Sequence, residues 1–279
     1  MERVKEPLIH ITKREPMPLW KSLLVRFGAV VIALVGSAIF ISASSPRDRG
    51  FFDYFGSLFS GAFGTERRFW LLLQNTALLL CVALALVLAF KMKFWNLGGN
   101  GQVLMGCLAC AMCMYYLGGK WPDPAVWLLM FVASLLAGAV WAVIPAIFKA
   151  FFNTNESLFT LMMNYVALCL VEFFIAHWYP TGTGAMPPLT DANLPTFGSG
   201  QAGRSLPVIL VAVIVTALIY CYLRFSKHGY EISLIGDSKN TARYAGINVK
   251  KVVIRTLIFS GLLCGLVGFL LVGSVNHMV

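Results

Sequence analysis

The chain has 279 residues, of which 58% are apolar and only 12% are charged, whereas a soluble domain carries about 25% charged residues. A chain this apolar cannot cover its own surface in water, so its composition excludes an ordinary soluble domain and favours a membrane protein. The net charge of +10 does not indicate nucleic-acid binding, because the basic residues lie mainly between apolar runs, where they set membrane orientation.

Seven apolar segments are long enough, or nearly long enough, to cross a membrane, for which a helix needs about 20 residues. Backbone groups in lipid must be hydrogen-bonded within the segment, so these segments predict helices. The predicted fold class is an all-α polytopic transmembrane bundle, in which a polar, basic segment (1–21) precedes the transmembrane domain (22–279). The predicted spans are 22–43, 70–90, 101–118, 125–148, 157–178, 206–223 and 252–273.

The distribution of basic residues predicts the orientation. With the N-terminus in the cytoplasm, 16 of the 22 Lys and Arg residues fall in cytoplasmic segments and 6 fall outside. Cytoplasmic segments carry the excess of Lys and Arg in membrane proteins, so the N-terminus is predicted to be cytoplasmic. The long connections are then two outer loops, 44–69 and 179–205, and one inner loop, 224–251, which is the most basic stretch.

The sequence contains no nucleotide-binding motif. Gly119-Lys120 is followed by Trp121 instead of Ser or Thr, and no glycine precedes it at the required distance. The chain is therefore not predicted to hydrolyse ATP, and neither a catalytic residue, a cofactor nor a metal site is predicted. Three cysteines spaced three apart in the third span have no His or carboxylate beside them, which favours packing.

Glycines and amides interrupt the apolar pattern over residues 94–102. Each glycine destabilises a helix by roughly 1 kcal/mol, so the stretch predicts a Gly-rich broken helix at which freed backbone groups bind a neutral polar solute. The candidate pathway residues here are Asn96, Gly98, Asn100 and Gln102. The alternative is a plain inner connection whose aromatic residues lie in the interfacial belt.

Polar groups also precede and enter the fifth span. Thr154 or Asn155 is placed to cap this helix, with Glu156 in its first turn. Asn164 follows about two turns into the membrane, and Glu172 lies deeper. An ionisable residue inside the membrane is a functional candidate, so Asn164 and Glu172 are candidate pathway residues. The alternatives are hydrogen bonds to a neighbouring helix for both, or a protonated carboxyl for Glu172.

The inner loop 224–251 contains the signal of a short helix. Asp237 or Ser238, directly after Gly236, is placed to cap one to two helical turns, and Gly246 is placed to end them. The turns carry a small apolar face and a basic residue. Such a helix suits docking into a groove on a partner protein; the alternative is a helix that lies on the inner leaflet.

These three stretches, in this order and spacing, resemble the permeases of nucleoside and simple-sugar ABC importers, from about residue 70 to the end. Residues 95–102 are similar to a Phe-Asn-Ile-Gly-x-Glu-Gly-Gln motif, although Asn100 replaces its Glu. Residues 155–165 match an Asn-Glu…Thr-Leu-Met-x-Asn-Tyr pattern. Residues 236–247 resemble a Gly-x-Asn-x-x-Ala-Ala-Arg-Tyr-Ala-Gly-Ile loop, with Ser238 in place of its Asn and Thr241 in place of one of its paired alanines. Similar permeases continue with further spans beyond the position of Val279.

The resemblance implies a permease subunit that carries a small polar solute, a nucleoside first and a simple sugar next, across the cytoplasmic membrane. It implies as partners ABC ATPase subunits, a second permease subunit that is the same or related, and an extracytoplasmic solute-binding protein, with membrane lipid around the chain and no nucleic acid. The residues implied for ATPase coupling are Gly236, Asp237, Ala242, Arg243, Tyr244, Ala245 and Gly246.

Two other functions are consistent with the composition. An ion-coupled secondary transporter would use Glu172 as its coupling carboxylate and would not need the loop motif. A non-transporting membrane scaffold would depend on complex formation instead of on the polar residues of the spans.

Overall fold

The computed structural model describes residues 17–44, 51–180, 186–190, 193–195, 197, 200–276 and 278, and all regular structure within these ranges is helical. The chain forms two units, Met1–Thr65 and Glu66–Val279. The predicted domain boundary between residues 21 and 22 stays a prediction.

The first unit contains two helices, α1 (Leu19–Ser44) and α2 (Phe51–Phe63). α1 is the first predicted span. α2 was not predicted, and it lies within the segment expected to be an outer loop. With 13 residues it is too short to cross a membrane. Its signal in the sequence is the recurrence of Phe every four residues, which places these rings on one face.

The second unit contains the other six membrane-length helices and two shorter ones. All seven predicted spans are confirmed as helices of sufficient length and apolarity to cross a membrane, with bounds that differ by a few residues. The helices are α3 (Glu66–Lys91), α4 (Gly99–Leu117), α5 (Asp123–Phe152), α6 (Glu156–Trp178), α7 (Gly200–Phe225), α8 (Lys227–Asp237), α9 (Lys239–Tyr244) and α10 (Val249–Leu270), the last continued by a π-helical turn (Leu271–Asn276).

Glycines bring α10 into backbone contact with α4 and α5. A Cβ added at Gly265 would collide with the backbone of Ser134 and Leu135 on α5, and one at Gly106 on α4 would lie 2.9 Å from the Gly265 Cα. One at Gly261 would collide with Gly138. Small residues allow membrane helices to approach this closely, so dispersion contacts hold the centre of the unit together. The Gly261-x-x-x-Gly265 spacing places both of these contacts on one face of α10.

A buried amide joins α3 to α7. The Oε1 atom of Gln74, which is fully buried, accepts hydrogen bonds from Ser205 Oγ at 2.8 Å and Gln201 Nε2 at 3.2 Å. Polar groups inside a membrane bundle stabilise helix pairs in this way.

The segment 224–251 is more helical than its sequence predicted. α8 was not predicted, because two glycines within its 11 residues weaken the local helix signal. Ser226 caps it by accepting from the Gly229 N–H at 3.0 Å. Gly236 packs against the Lys91 carbonyl at the end of α3, in a space that no Cβ could enter. Tertiary packing therefore stabilises α8 where propensity does not.

Candidate functional site

The glycine-rich stretch connects α3 to α4 and does not break a helix. α3 ends in a Schellman motif, in which the Phe94 N–H donates to Ala89 O at 3.1 Å and the Lys93 N–H donates to Phe90 O at 2.9 Å. Lys93 takes the left-handed conformation, with φ of 56°. Gly99 is already helical in α4, so only residues 92–98 are non-helical. The predicted broken helix is therefore not observed. The stretch is a connection between two spans, but its Phe94 is buried in the protein instead of lying in the interfacial belt.

This connection is folded into the protein instead of lying free. Asn96 Oδ1 accepts from the Gly98 N–H at 3.0 Å. Asn164 on α6 donates from Nδ2 to Leu97 O at 2.9 Å and accepts from the Gly101 N–H at 2.8 Å. The Asn164 side chain thus pairs one carbonyl and one N–H of the connection's backbone. This is the alternative given for Asn164 from the sequence, a hydrogen bond to a neighbouring segment.

The glycines at the start of α4 allow α6 to come this close. A Cβ at Gly101 would lie 2.8 Å from Asn164 Oδ1 and 3.2 Å from Trp141 Nε1. A Cβ at Gly98 would lie 3.1 Å from Asn96 Oδ1. Glycine at position 101 therefore serves a close approach and not flexibility, whereas a Cβ at Gly98 would require its neighbours to shift by a few tenths of an ångström.

The four amides of the candidate pathway fall into different environments. Asn96 and Gln102 are fully buried, Asn164 is half-buried and Asn100 is exposed. Asn96 Nδ2 and Gln102 Oε1 have no hydrogen-bond partner among the described residues, although buried polar atoms are nearly always paired. Asn100 is thus the amide of this set whose side chain lies on the surface of the chain.

The start of α6 follows the prediction. Asn155 is its cap, because Asn155 Oδ1 accepts from the N–H groups of Ser157 at 3.1 Å and Leu158 at 3.3 Å. Glu156, in the first turn, forms an ion pair of 2.5 Å with Lys149 of α5. These contacts fix the angle at which α6 leaves α5.

One face of α6 is exposed along its length and carries polar groups. Tyr165 is 64% exposed and Phe173 is 63% exposed, and Glu172 is exposed beside it. From the helical rise, Glu172 lies about 24 Å from the start of α6 and about 9 Å from its end. Glu172 bonds to no neighbouring helix in the described part of the chain, so that alternative is not observed.

The short helix α9 has an inner and an outer side. Ser238 caps it by accepting from the Thr241 N–H at 3.3 Å, and Gly246 ends it with φ of 77°, so the predicted cap and stop are confirmed. Ala242 is fully buried, whereas Tyr244 is 91% exposed. Of the coupling residues named from the sequence, those on the surface are Asp237, Arg243, Tyr244, Ala245 and Gly246, and those inside are Gly236 and Ala242.

These features define a multi-pass membrane protein in which one span has an exposed face with a few polar groups and a capped helix is displayed at one end. Residues 69–278, which lie within the second unit, match the family model described as branched-chain amino acid transport system / permease component. The chain belongs to this family.

Known relatives agree with the family. The chain is 26% identical to the guanosine ABC transporter permease protein NupP of Bacillus subtilis, over 88% of this chain and 70% of the relative. It is 28% identical to the nucleoside ABC transporter permease protein NupB of Lactococcus lactis, over 89% and 70%. It is 26% identical to the glucose ABC transporter permease protein TsgB13 of Haloferax volcanii, over 93% and 70%. No solved structure gives a significant match.

The chain is therefore a membrane-spanning permease subunit of an ABC transporter. Its relatives are transport permeases and not enzymes. Neither the secondary transporter nor the scaffold is favoured by these relationships.

Proposed function

We propose that this permease imports a nucleoside across the cytoplasmic membrane, through a pathway of which the exposed face of α6 forms one wall. The observation that carries the proposal is Glu172, an ionisable side chain that lies well inside an apolar span and faces away from its own bundle. A charge facing lipid at that depth is costly, so such residues face a protein interior or a water-filled cavity.

A second permease subunit, the same or related, supplies the opposite wall. Tyr165, Cys169 and Glu172 recur at helical spacing on the exposed side of α6, so a facing subunit covers all three at once. Water between the two subunits keeps the carboxylate solvated and gives the solute a polar route.

The chemistry of this face suits a nucleoside. A carboxylate accepts two hydrogen bonds, which matches the vicinal hydroxyls of a ribose or the N–H groups of a base edge. Tyr165 offers a ring on which a flat base can stack. The relatives named for guanosine and nucleosides support this solute class. The relative named for glucose shares the hydroxyl groups, so a simple sugar is the second candidate.

The amides have separate roles in this proposal. Asn100, which is exposed, contacts the solute, whereas Asn96 and Asn164 hold the glycine-rich connection in place beside the pathway. Gly98 permits that packing. Gln102 is buried at the start of α4.

ATP-driven motion reaches the pathway through α9. Arg243 and Tyr244 are exposed and suited to contact the ATPase subunits, with Asp237, Ala245 and Gly246 beside them. Gly236 and Ala242 fix α9 against the bundle, so a push on α9 moves α3 and α10. The proposal requires the N-terminus and segment 224–251 to lie in the cytoplasm, as the basic-residue count predicts, and an extracytoplasmic binding protein to deliver solute on the other side.

The test is ATP-dependent uptake of labelled nucleosides by proteoliposomes that contain the complete transporter. Glu172→Gln should lower uptake at least tenfold, since one hydrogen bond to a charged group contributes about 1.5–3 kcal/mol. Leu168→Met, on the same exposed side of α6, should leave uptake unchanged. Equal uptake by wild type and Glu172→Gln for every nucleoside and sugar would remove α6 from the pathway. Uptake without ATP would restore the secondary transporter.

A further inference from the structure

A cavity of about 780 Å³ lies at the end of the second unit where α3 and α5 finish and α10 begins. Its volume falls in the range of sites that hold a small molecule, roughly 300–1,000 Å³. It is distinct from the α6 face and from the amides around Asn164. The proposed orientation places it at the cytoplasmic surface of the membrane.

The rim of the cavity carries a large excess of positive charge. Glu156 is its one carboxylate among the described residues, and this carboxylate is already paired with Lys149 at 2.5 Å. No carboxylate of the described chain lies within ion-pair distance of the other basic side chains that line the cavity. These are Lys93, Lys239, Arg243 and Lys250.

The floor and one wall of the cavity are apolar. Phe94, Ile235 and Val253 line it and are buried. Phe151 forms a wall, is 60% exposed, and lies 4.9 Å from Lys250 Nζ in a cation–π contact. An exposed aromatic ring beside a lysine at the end of a span is typical of the membrane–water boundary. A ligand that fits both parts therefore has an anionic group and an apolar stem.

The backbone at Lys93 adds to this conclusion. Its left-handed conformation is one that glycine adopts without strain and a side-chain-bearing residue does not. This conformation belongs to the Schellman motif that ends α3, and a lysine at this position places a cation on the rim of the cavity.

We propose that this cavity binds the headgroup of an anionic phospholipid of the cytoplasmic leaflet. The phosphate lies among the unpaired basic side chains, where charge-assisted hydrogen bonds are strong. The glycerol and the first methylenes cover Phe94 and Phe151. Basic pockets at the cytoplasmic ends of membrane helices are suited to such headgroups. An acidic side chain of a partner protein would pair with the rim but would leave the apolar floor uncovered.

Lipid composition would then affect α9, because Lys239 and Arg243 of α9 and Lys250 of α10 bind the same ligand. A bound phosphate links the segment that meets the ATPase to the start of the central helix.

The experiment is lipid retention by the purified full chain, measured by native mass spectrometry after exchange into zwitterionic lipid. Phosphatidylglycerol and phosphatidylcholine of identical acyl chains are titrated in parallel. We expect phosphatidylglycerol to be retained at least tenfold more strongly. The double variant Lys93→Gln/Lys250→Gln should lose this preference. Lys251→Gln, which removes a neighbouring lysine that does not line the cavity, should keep it.

Several results would overturn the proposal. Equal retention of the two lipids by the wild type needs no variant and would suffice. So would full retention in the double variant, or equal loss in Lys251→Gln. Competition by inorganic phosphate at equal concentration would indicate a free-anion site. If the double variant fails to fold, Lys93→Arg/Lys250→Arg keeps the charges and must keep the preference. Loss of the ATPase with unchanged lipid retention would assign the cavity to the protein partner.

Discussion

α6 and α10 are helices of nearly equal length and apolarity, but α10 is mostly buried in the second unit and α6 is mostly exposed. They have 23 and 22 residues, and their most apolar windows have mean hydropathies of 2.0 and 2.3. Yet 61% of the window in α10 and its π-helical extension is buried, against 22% in α6. The two helices have nearly the same mean hydropathy, so hydropathy does not determine which of them forms the core.

The size of the side chains on one face of each helix accounts for the difference in burial. α10 carries Gly261, Gly265 and Gly268 on its contact face, and their lack of Cβ atoms admits the backbones of α4 and α5. α6 carries large or polar side chains along its exposed side, among them Tyr165 and Glu172. α10 therefore contributes mainly to stability, whereas α6 keeps the exposed face that the proposed pathway uses.

The largest expected effect is a loss of stability at the centre of α10. Gly265→Ala should destabilise the protein by about 3 kcal/mol, because the new methyl group meets backbone atoms of Ser134 and Leu135 that cannot move aside. Thermal unfolding in detergent measures this. Gly36→Ala in α1, where nothing lies within 4 Å of the added Cβ, is the control and should be neutral or slightly stabilising. An unchanged Gly265→Ala midpoint would contradict the close packing.

The next prediction is a loss of function with no change in stability. Arg243→Glu should lower co-purification of the ATPase, and ATP-dependent uptake, at least tenfold, because a negative charge replaces the exposed cation of α9 that is proposed to contact the ATPase. The amount of inserted, folded permease should not change. Arg224→Glu, at the exposed end of α7, is the matched charge reversal and should have a smaller effect. Normal transport and co-purification in Arg243→Glu would remove α9 from the coupling route.

Substitutions at two adjacent residues of α6 test the inner and the outer side of this helix separately. Asn164→Leu should cost about 2 kcal/mol of stability, since it leaves the Leu97 carbonyl and the Gly101 N–H without partners. Tyr165→Phe, one residue further and exposed, should leave the unfolding midpoint unchanged. Equal midpoints for the two variants would show that the Asn164 hydrogen bonds contribute no stability.

The smallest effect is a change of preference. Asn100→Asp should alter the relative uptake of different nucleosides and sugars a few-fold, with no change in expression, because an exposed carboxylate accepts hydrogen bonds but cannot donate them. Competition among unlabelled solutes in the uptake assay measures it. Identical competition profiles would leave the glycine-rich stretch as a connection only.

Local features were predicted well from the sequence. The seven spans follow from length and apolarity, and the caps Asn155 and Ser238 and the stop at Gly246 follow from chemistry within a few residues. Each of these depends on neighbours in the chain, so a linear pattern contains the necessary information.

Features that depend on distant segments were predicted poorly. The glycines near Gly98 and Gly101 predicted a broken helix, but their role is to admit Asn164 of α6. α8 was missed because its glycine at position 236 weakens the helix locally while the contact with Lys91 O, far away in sequence, stabilises it. A glycine that breaks a helix and a glycine that packs against one have the same sequence signal.

The sequence by itself determined which segments cross the membrane, which polar groups enter them and which family the chain belongs to. Only the tertiary structure decided which polar side chains are hydrogen-bonded within the protein and which are exposed. Asn164 forms hydrogen bonds to the connection before α4, whereas Glu172 on the same helix is exposed. The physical reason is that a helix turns about 100° per residue, so the neighbours packed around it decide whether a side chain is buried or exposed.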